Sequence, residues 1–162
     1  MLYLHTISAY RAIRSGNRHV YFCLKDKGEG PGQKLFVGAA VLLSDGKIVT
    51  GTNIENASYG NTICAERSTI FRAYDEERRD IMALATIARH RDFDTKTPSF
   101  SCGACRQAEF EASQISGVDI EMITSNTDRS KVVILPISKL LPFAFGPVDL
   151  GINVNDYKKV LR

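Results

Sequence analysis

Three cysteines constrain the fold of this chain more than any other feature. Cys64 begins an apolar helical pattern over residues 64–75, and Cys102 and Cys105 form a C-x-x-C pair at the start of a second helical pattern over 103–113. Two thiolates one helical turn apart can share a tetrahedral zinc ion. A redox C-x-x-C pair does not need a third cysteine, so the pattern favours a metal site where two helix starts meet.

The number of ligands bears on what the zinc would do. Three protein ligands with an open fourth position are typical of catalytic zinc. A structural site would need a fourth ligand, for which the sequence offers one more cysteine and three histidines: Cys23, His5, His19 and His90. None of these has a paired spacing with another, and Cys23 lies in an apolar run, where a free cysteine behaves as a small hydrophobe. We therefore favour a catalytic ion and keep structural zinc as the alternative.

Charged residues beside the cysteines fit such a site. Three thiolates and Zn²⁺ sum to −1, and positive helix N-termini would offset that charge. Arg67 and Arg106 could add charge and hydrogen bonds around the ligands, although a surface position is the commoner fate of an arginine. Glu66 lies two residues after Cys64. It is a candidate proton shuttle, or a first-turn carboxylate that only complements the helix dipole.

The order of elements predicts an α/β domain. Helices that alternate with strands favour a mixed sheet with helices on its faces, and ligands bind at the edge where strands lead into helices. The chain reads as a single domain over 1–162, with a Gly/Pro-rich loop over 25–34 predicted to be mobile and an extension over 151–162. The predicted elements are a helix over 2–14, a strand-like run over 20–25, a hairpin over 34–54 around Ser44-Asp45-Gly46, helices over 64–75, 103–113 and 137–141, and strands over 80–88, 118–124 and 131–135.

Charge and composition exclude several classes of protein. The net charge is +3 over 162 residues, and the basic residues are scattered. This argues against a nucleic-acid or membrane partner. No apolar run approaches the ~18 residues of a membrane span, and Arg11 and Arg14 come too early for a secretory leader. We expect a cytoplasmic protein with reduced cysteines.

Two motifs, C-A-E-R at 64–67 and C-G-A-C-R-Q at 102–107, resemble the cytidine deaminase family of the small, homotetrameric, three-cysteine zinc type. Residues 37–73 resemble the central block of that family, and LLPFAFGP at 140–147 resembles its C-terminal signature. The resemblance implies a three-layer α-β-α fold with a central mixed five-stranded sheet. It implies Zn²⁺ on Cys64, Cys102 and Cys105, with Glu66 moving a proton from water to the pyrimidine.

The reaction that this resemblance implies is hydrolysis of cytidine or deoxycytidine to uridine or deoxyuridine with release of ammonia, in pyrimidine salvage. The enzyme would be a homotetramer with active sites at subunit interfaces.

The same resemblance assigns the substrate contacts. Asn53 and Glu55 would bind the ribose 3′-hydroxyl, and two residues that are two apart at a strand end face the same way. The backbone of Ala57 would contact the base, and Tyr59 would shape the pocket. Phe145 would reach a neighbouring subunit's site, although simple packing is the alternative for this side chain.

Two departures from the family pattern concern the substrate side. Ser101 stands where the family usually has Pro before the first Cys of the C-x-x-C. Leu35-Phe36 replaces a Phe-Pro pair whose Phe packs against the nucleoside. Either Leu35 takes the place of that aromatic, or Phe36 does so from a shifted register.

Three rival functions share parts of this pattern. A deaminase of a modified aminopyrimidine nucleoside, of the blasticidin S type, would use the same metal and Glu66, but the NIEN segment at 53–56 argues against it. A DNA or RNA deaminase usually carries His-x-Glu and needs a basic track. A zinc-stabilised scaffold without activity would not need Glu66.

Overall fold

The protein was analysed as a computed structural model that describes residues 13–15, 18–20 and 34–159. Strands β1 (Ile13–Ser15) and β2 (Arg18–Val20) pair antiparallel. The helix predicted over 2–14 is therefore wrong at Ile13 and Arg14, and its other residues lie outside the described ranges. The sequence places Gly16-Asn17 between the residues of β1 and those of β2, and such a pair between two strand-like runs is typical of a β-hairpin. The apolar spacing over 2–14 alone favoured a helix. Cys23 and residues 25–33 of the predicted loop also lie outside the described ranges.

A five-stranded mixed sheet forms the centre of the fold. Its strands are β3 (Leu35–Leu43), β4 (Ile48–Thr52), β5 (Ile81–His90), β6 (Glu121–Ser125) and β7 (Val132–Pro136). Their order is β4-β3-β5-β6-β7, and all neighbours are antiparallel except β5 and β6. The parallel pair requires a crossover, which the helix between β5 and β6 supplies.

Three helices follow the sequence prediction closely, and the short helix Asp156–Lys159 in the predicted extension was not predicted. The second helix runs three residues beyond its predicted end and stops at Gly117, whose φ of 77° provides the left-handed C-cap that ends many helices. The helices are α1 (Ala65–Asp75), α2 (Gly103–Ser116), α3 (Ile137–Leu140) and α4 (Asp156–Lys159), with short 3₁₀ turns at Tyr59–Asn61 and Pro147–Leu150.

Both faces of the sheet bury apolar side chains. On one face, Val41, Leu43 and Leu84 pack with Ile70 of α1 and Ala112 of α2. Alternate residues of the same strands form a second buried cluster on the other face: Leu42, Ala83, Ala85, Ile87 and Ile123. This alternation follows from the period of two in a strand. The prediction of an α/β chain with a mixed five-stranded sheet is confirmed.

Helix α1 lies unusually close to strand β4. A Cβ added to Gly51 would come within 2.4 Å of Thr69 Oγ1 and 2.9 Å of the Thr69 backbone nitrogen. Ser68 Oγ also donates a hydrogen bond to the Thr52 carbonyl, at 2.8 Å. These contacts fix the start of α1 against the sheet. Within the described ranges, none of the helices combines the length and apolar character needed to cross a bilayer.

Candidate metal centre and substrate cavity

Strand direction explains why the two cysteine motifs meet. Strands β4 and β5 are both antiparallel to β3, so they run in the same direction and end at the same edge of the sheet. The loop after β4 leads to Cys64, which is the N-cap of α1, and the loop after β5 leads to Cys102, the N-cap of α2. Neither thiol caps its own helix. Both thiols therefore remain available to a ligand at this edge.

The three sulfur atoms form one compact group. Cys64, Cys102 and Cys105 place their Sγ atoms within 4.8 Å of one another, and the Cys64 and Cys102 sulfurs are 3.9 Å apart. Cys105 is buried, Cys64 is half-buried and Cys102 is exposed. Soft thiolates at this spacing suit zinc, and the residues present fit the ion.

The thiols differ in their readiness to ionise. Burial raises the pKa of Cys64 above its ordinary value, although Arg67 opposes that shift. Burial and the charge of Glu66 raise the pKa of Cys105 far above the ordinary range. Burial also opposes ionisation of Cys102, but hydrogen bonds from Cys105 and from the N–H groups of the helix start lower the pKa of Cys102 overall. A divalent cation supplies the charge needed to ionise all three.

Glu66 lies directly beside the sulfur group. It is in the first turn of α1, is only 6% exposed, and accepts a hydrogen bond from Cys105 Sγ to Oε2 at 3.7 Å. This separation places a carboxylate next to the position of a shared ion, so Glu66 could exchange a proton with water held there.

The two arginines have different surroundings. The nearby Cys64 sulfur raises the pKa of Arg67. Arg67 Nη2 donates to the Thr62 carbonyl at 3.4 Å, and its buried Nε has no hydrogen-bond partner among the described residues. Arg106 instead donates from Nε to the Ser101 carbonyl at 2.9 Å and from Nη1 to the Leu140 carbonyl at 3.2 Å. Arg67 thus places a positive charge near the candidate ligand Cys64, and Arg106 binds the loop that precedes Cys102.

A cavity of about 200 Å³ opens onto Cys64, Cys102 and Glu66. Asn53 and Glu55 line it and are joined by a hydrogen bond from Asn53 Nδ2 to Glu55 Oε1 at 2.9 Å. Asn53 Oδ1 also accepts from the Val37 N–H at 3.0 Å, and Nδ2 donates to the Leu35 carbonyl at 3.1 Å. Strand β3 therefore holds Asn53, and Asn53 orients the Glu55 carboxylate.

Four predicted substrate contacts lie outside the cavity walls of the single chain. Leu35 and Val37 line the cavity but Phe36 does not, because alternate side chains of β3 point to opposite faces. Ala57 and Tyr59 are exposed, Tyr59 at 85%. Phe145 is 59% exposed, and its carbonyl accepts a hydrogen bond from Gln107 Nε2. The roles assigned to these residues stay predictions.

The sequence reasoning missed several cavity residues. Thr86 and Ala88 of β5 and Phe100 line the cavity, beside Ser99 and Thr62. The position of Phe100 two residues before Cys102 was the available signal, whereas Thr86 is hidden inside an apolar strand. A contact between Ser101 and Glu109 was also missed, because Glu109 reads as an ordinary polar helix residue.

Comparison with known proteins agrees with this geometry. Residues 17–122 match the family model of the cytidine and deoxycytidylate deaminase zinc-binding region. The chain is 43% identical over 121 residues to a cytidine deaminase of Halalkalibacterium halodurans, with 75% of this chain and 85% of the relative covered. It is 40% identical to the cytidine deaminase of Sporosarcina psychrophila, with 75% and 82% covered.

Solved structures of cytidine deaminases are also similar to this chain. A cytidine deaminase from Burkholderia pseudomallei superposes with a TM-score of 0.64 at 35% identity, over 74% of this chain and 89% of the other. The cytidine deaminase of Mycobacterium tuberculosis superposes with a TM-score of 0.55 at 30% identity, over 74% and 85%. The chain therefore belongs to the family of cytidine and deoxycytidylate deaminases.

Proposed function

We propose that this protein hydrolyses cytidine and deoxycytidine to uridine and deoxyuridine and releases ammonia. The observation that carries the proposal is the position of Glu66, a buried carboxylate 3.7 Å from a sulfur of the three-cysteine group, at a cavity that also exposes Cys64 and Cys102. The names of the curated relatives support the same reaction.

The site residues divide the reaction between them. Cys64, Cys102 and Cys105 would hold zinc, which when bound supplies the Lewis acidity that activates water at neutral pH. Glu66 Oε2 takes a proton from the attacking water and passes it to N3 of the cytosine ring. The water oxygen adds to C4, and the proton of the resulting C4 hydroxyl then moves through the same carboxylate to the amino group. The C4–N bond breaks as the C4 carbonyl forms, and the amino group leaves as ammonia. The positive charge of Arg67 near Cys64 offsets the negative charge of the thiolates.

The sugar end of the cavity favours a nucleoside over a nucleotide. Glu55 is oriented by Asn53 and accepts at 3.4 Å from Thr62 Oγ1, so a carboxylate oxygen is placed to bind a sugar hydroxyl. None of the described residues that line the cavity carries a positive charge, and two of them are glutamates. A phosphate here would be repelled rather than bound.

The experiment is a comparison of substrates followed by ultraviolet absorbance. Cytidine, deoxycytidine, deoxycytidine monophosphate and blasticidin S are each incubated with the zinc-loaded protein, and one set includes a chelator. We expect turnover of cytidine or deoxycytidine that a chelator abolishes. Faster turnover of blasticidin S or of the monophosphate would overturn the proposed substrate.

We also propose that the protein acts as a cytoplasmic homotetramer in pyrimidine salvage, with active sites at subunit interfaces. Three apolar side chains near the C-terminal end support an assembly: Phe143, which is fully exposed, Phe145 at 59% and Leu150 at 63%. Exposed apolar groups of this kind typically mark interfaces. The use of free cysteines as ligands fits a reducing compartment.

A further inference from the structure

Of the three candidate metal ligands, Cys102 is the most exposed and therefore the least constrained by packing. Cys105 is fully buried in α2, whereas Cys102 is exposed at the N-cap of that helix. Its carbonyl is fixed by the Arg106 N–H at 2.9 Å, which is the first helical hydrogen bond. Its sulfur position therefore depends on how firmly the preceding residue, Ser101, is held.

Two side chains of α2 form hydrogen bonds with Ser101. Arg106 Nε donates to the Ser101 carbonyl at 2.9 Å, and Ser101 Oγ donates to Glu109 Oε1 at 2.7 Å. Ser101 is 4% exposed and Glu109 is 1% exposed. The backbone and the hydroxyl of this one residue are thus both anchored on α2, the helix whose N-cap is Cys102.

The buried carboxyl group of Glu109 lowers the stability of the folded protein. Burial raises the pKa of Glu109 to about 7, and its second oxygen, Oε2, has no hydrogen-bond partner among the described residues. A buried polar atom without a hydrogen-bond partner destabilises the folded state. An apolar side chain of similar size would avoid that cost, so the carboxylate must do something that packing does not.

We propose that Ser101 and Glu109 form a positioning pair that fixes Cys102 for metal binding. This inference rests on the zinc site of the proposed function. The bond from Ser101 to Glu109 ties the loop that ends at Cys102 to the interior of α2, so the exposed sulfur is presented to the other two at a fixed place. Groups that orient metal ligands typically change metal affinity about 10- to 100-fold when they are removed.

The test measures zinc transfer from the zinc-loaded protein to a chelating dye. Ser101→Ala and Glu109→Leu each break the pair and should release zinc roughly 10- to 100-fold faster than the wild type. Glu109→Gln keeps an acceptor oxygen and should release zinc at close to the wild-type rate. Cobalt substitution gives a second readout, because thiolate-to-cobalt absorption weakens when one sulfur leaves the ion.

Ser113→Ala is the matched control. Ser113 is also a buried serine, 8% exposed, and its hydroxyl donates to the Val118 carbonyl within the same part of the molecule. Its removal should lower folding stability without changing zinc release. If Ser101→Ala and Glu109→Leu release zinc no faster than Ser113→Ala, the positioning role is wrong.

The test still gives a decision if Ser101→Ala does not fold or if the wild-type protein takes up no zinc. Should Ser101→Ala fail to fold, the comparison of Glu109→Leu with Glu109→Gln still decides, since only one of them keeps the acceptor. Equal zinc release from these two variants would overturn the inference. A wild-type protein that takes up no zinc would instead overturn the proposed zinc site.

Discussion

Two glutamates of the cavity show how surroundings assign roles to the same residue type. Glu66 is buried beside the Cys105 sulfur, where a proton can be exchanged with water close to the metal position. Glu55 is bound by Asn53 Nδ2 and by Thr62 Oγ1, which hold its carboxylate as an acceptor. The first is suited to proton transfer and the second to substrate binding.

Replacing Glu55 by Gln should weaken recognition of the sugar. The charge-assisted hydrogen bond to the 3′-hydroxyl would be lost, which predicts a fall in kcat/KM for deoxycytidine of roughly 10- to 100-fold. The amide oxygen of the new side chain can still accept from Asn53, so the fold should be kept. Steady-state kinetics on deoxycytidine and on 2′,3′-dideoxycytidine measures the effect.

Dideoxycytidine is the internal control for that variant, because it has no 3′-hydroxyl to lose. The wild type should prefer deoxycytidine to it strongly, and Glu55→Gln should discriminate much less. An unchanged ratio between the two substrates would show that Glu55 does not bind the 3′-hydroxyl.

At the scale of elements, the site depends on the seating of α1 against the sheet. Thr69 Oγ1 donates to the Ala65 carbonyl at 2.7 Å and lies 3.4 Å from the Ala39 carbonyl, while Ser68 Oγ donates to the Thr52 carbonyl. These contacts form because Gly51 leaves room for them. The start of α1, which carries Cys64 and Glu66, is positioned by this close approach.

Gly51→Ala should therefore damage both stability and activity. The added methyl meets helix backbone as well as side chains, and overpacking of this kind costs about 1–3 kcal/mol. We expect a lower free energy of unfolding in urea together with a lower kcat. Gly60→Ala is the control, since a Cβ at Gly60 has no atom within 4 Å. Equal behaviour of the two variants would contradict the close seating of α1.

Much of the element order could be predicted from the sequence. The hairpin around Ser44-Asp45-Gly46, the helix after Cys64 and the helix after Cys102 each carry local signals, namely turn residues and apolar periodicity. The prediction that the three cysteines lie together followed from metal chemistry, because the ligands of one ion must be close to one another. Local pattern and ligand chemistry together therefore located the sulfurs and Glu66.

Features that depend on distant residues could not be predicted. Glu109 is polar and helical in sequence, and only the packed structure places it against Ser101. The choice between Leu35 and Phe36 at the cavity depends on the register of β3 with β4 and β5, which the sequence left open. At Ile13 and Arg14 the apolar spacing also suits a helix, whereas the observed strand depends on pairing with β2, which local spacing does not reveal.

At the scale of the whole molecule, the exposed aromatic residues bear on the proposed homotetramer. Phe143 has a positive φ of 57° and is fully exposed, so its side chain buries no apolar surface within the single chain. Gln107 holds the backbone of the neighbouring Phe145 against α2. A side chain held in place but left exposed is suited to contact another subunit.

Subunit complementation tests this assembly. Glu66→Gln lacks the proton shuttle but keeps Phe145, and Phe145→Ala keeps the shuttle. When the two are co-expressed, hybrid tetramers should contain sites with both residues intact, so activity should exceed the sum of the separate variants. Purely additive activity, or a monomer in sedimentation velocity, would contradict a shared site.

The central claim is that three sulfurs hold one zinc ion and that Glu66 moves the proton beside it. The most direct measurement is ammonia release from cytidine by zinc-loaded Glu66→Gln, with the metal content determined on the same sample. We predict close to one zinc per chain and a rate lower by roughly 10²- to 10⁴-fold than that of the wild type. Full activity in Glu66→Gln at the same zinc content would contradict the account.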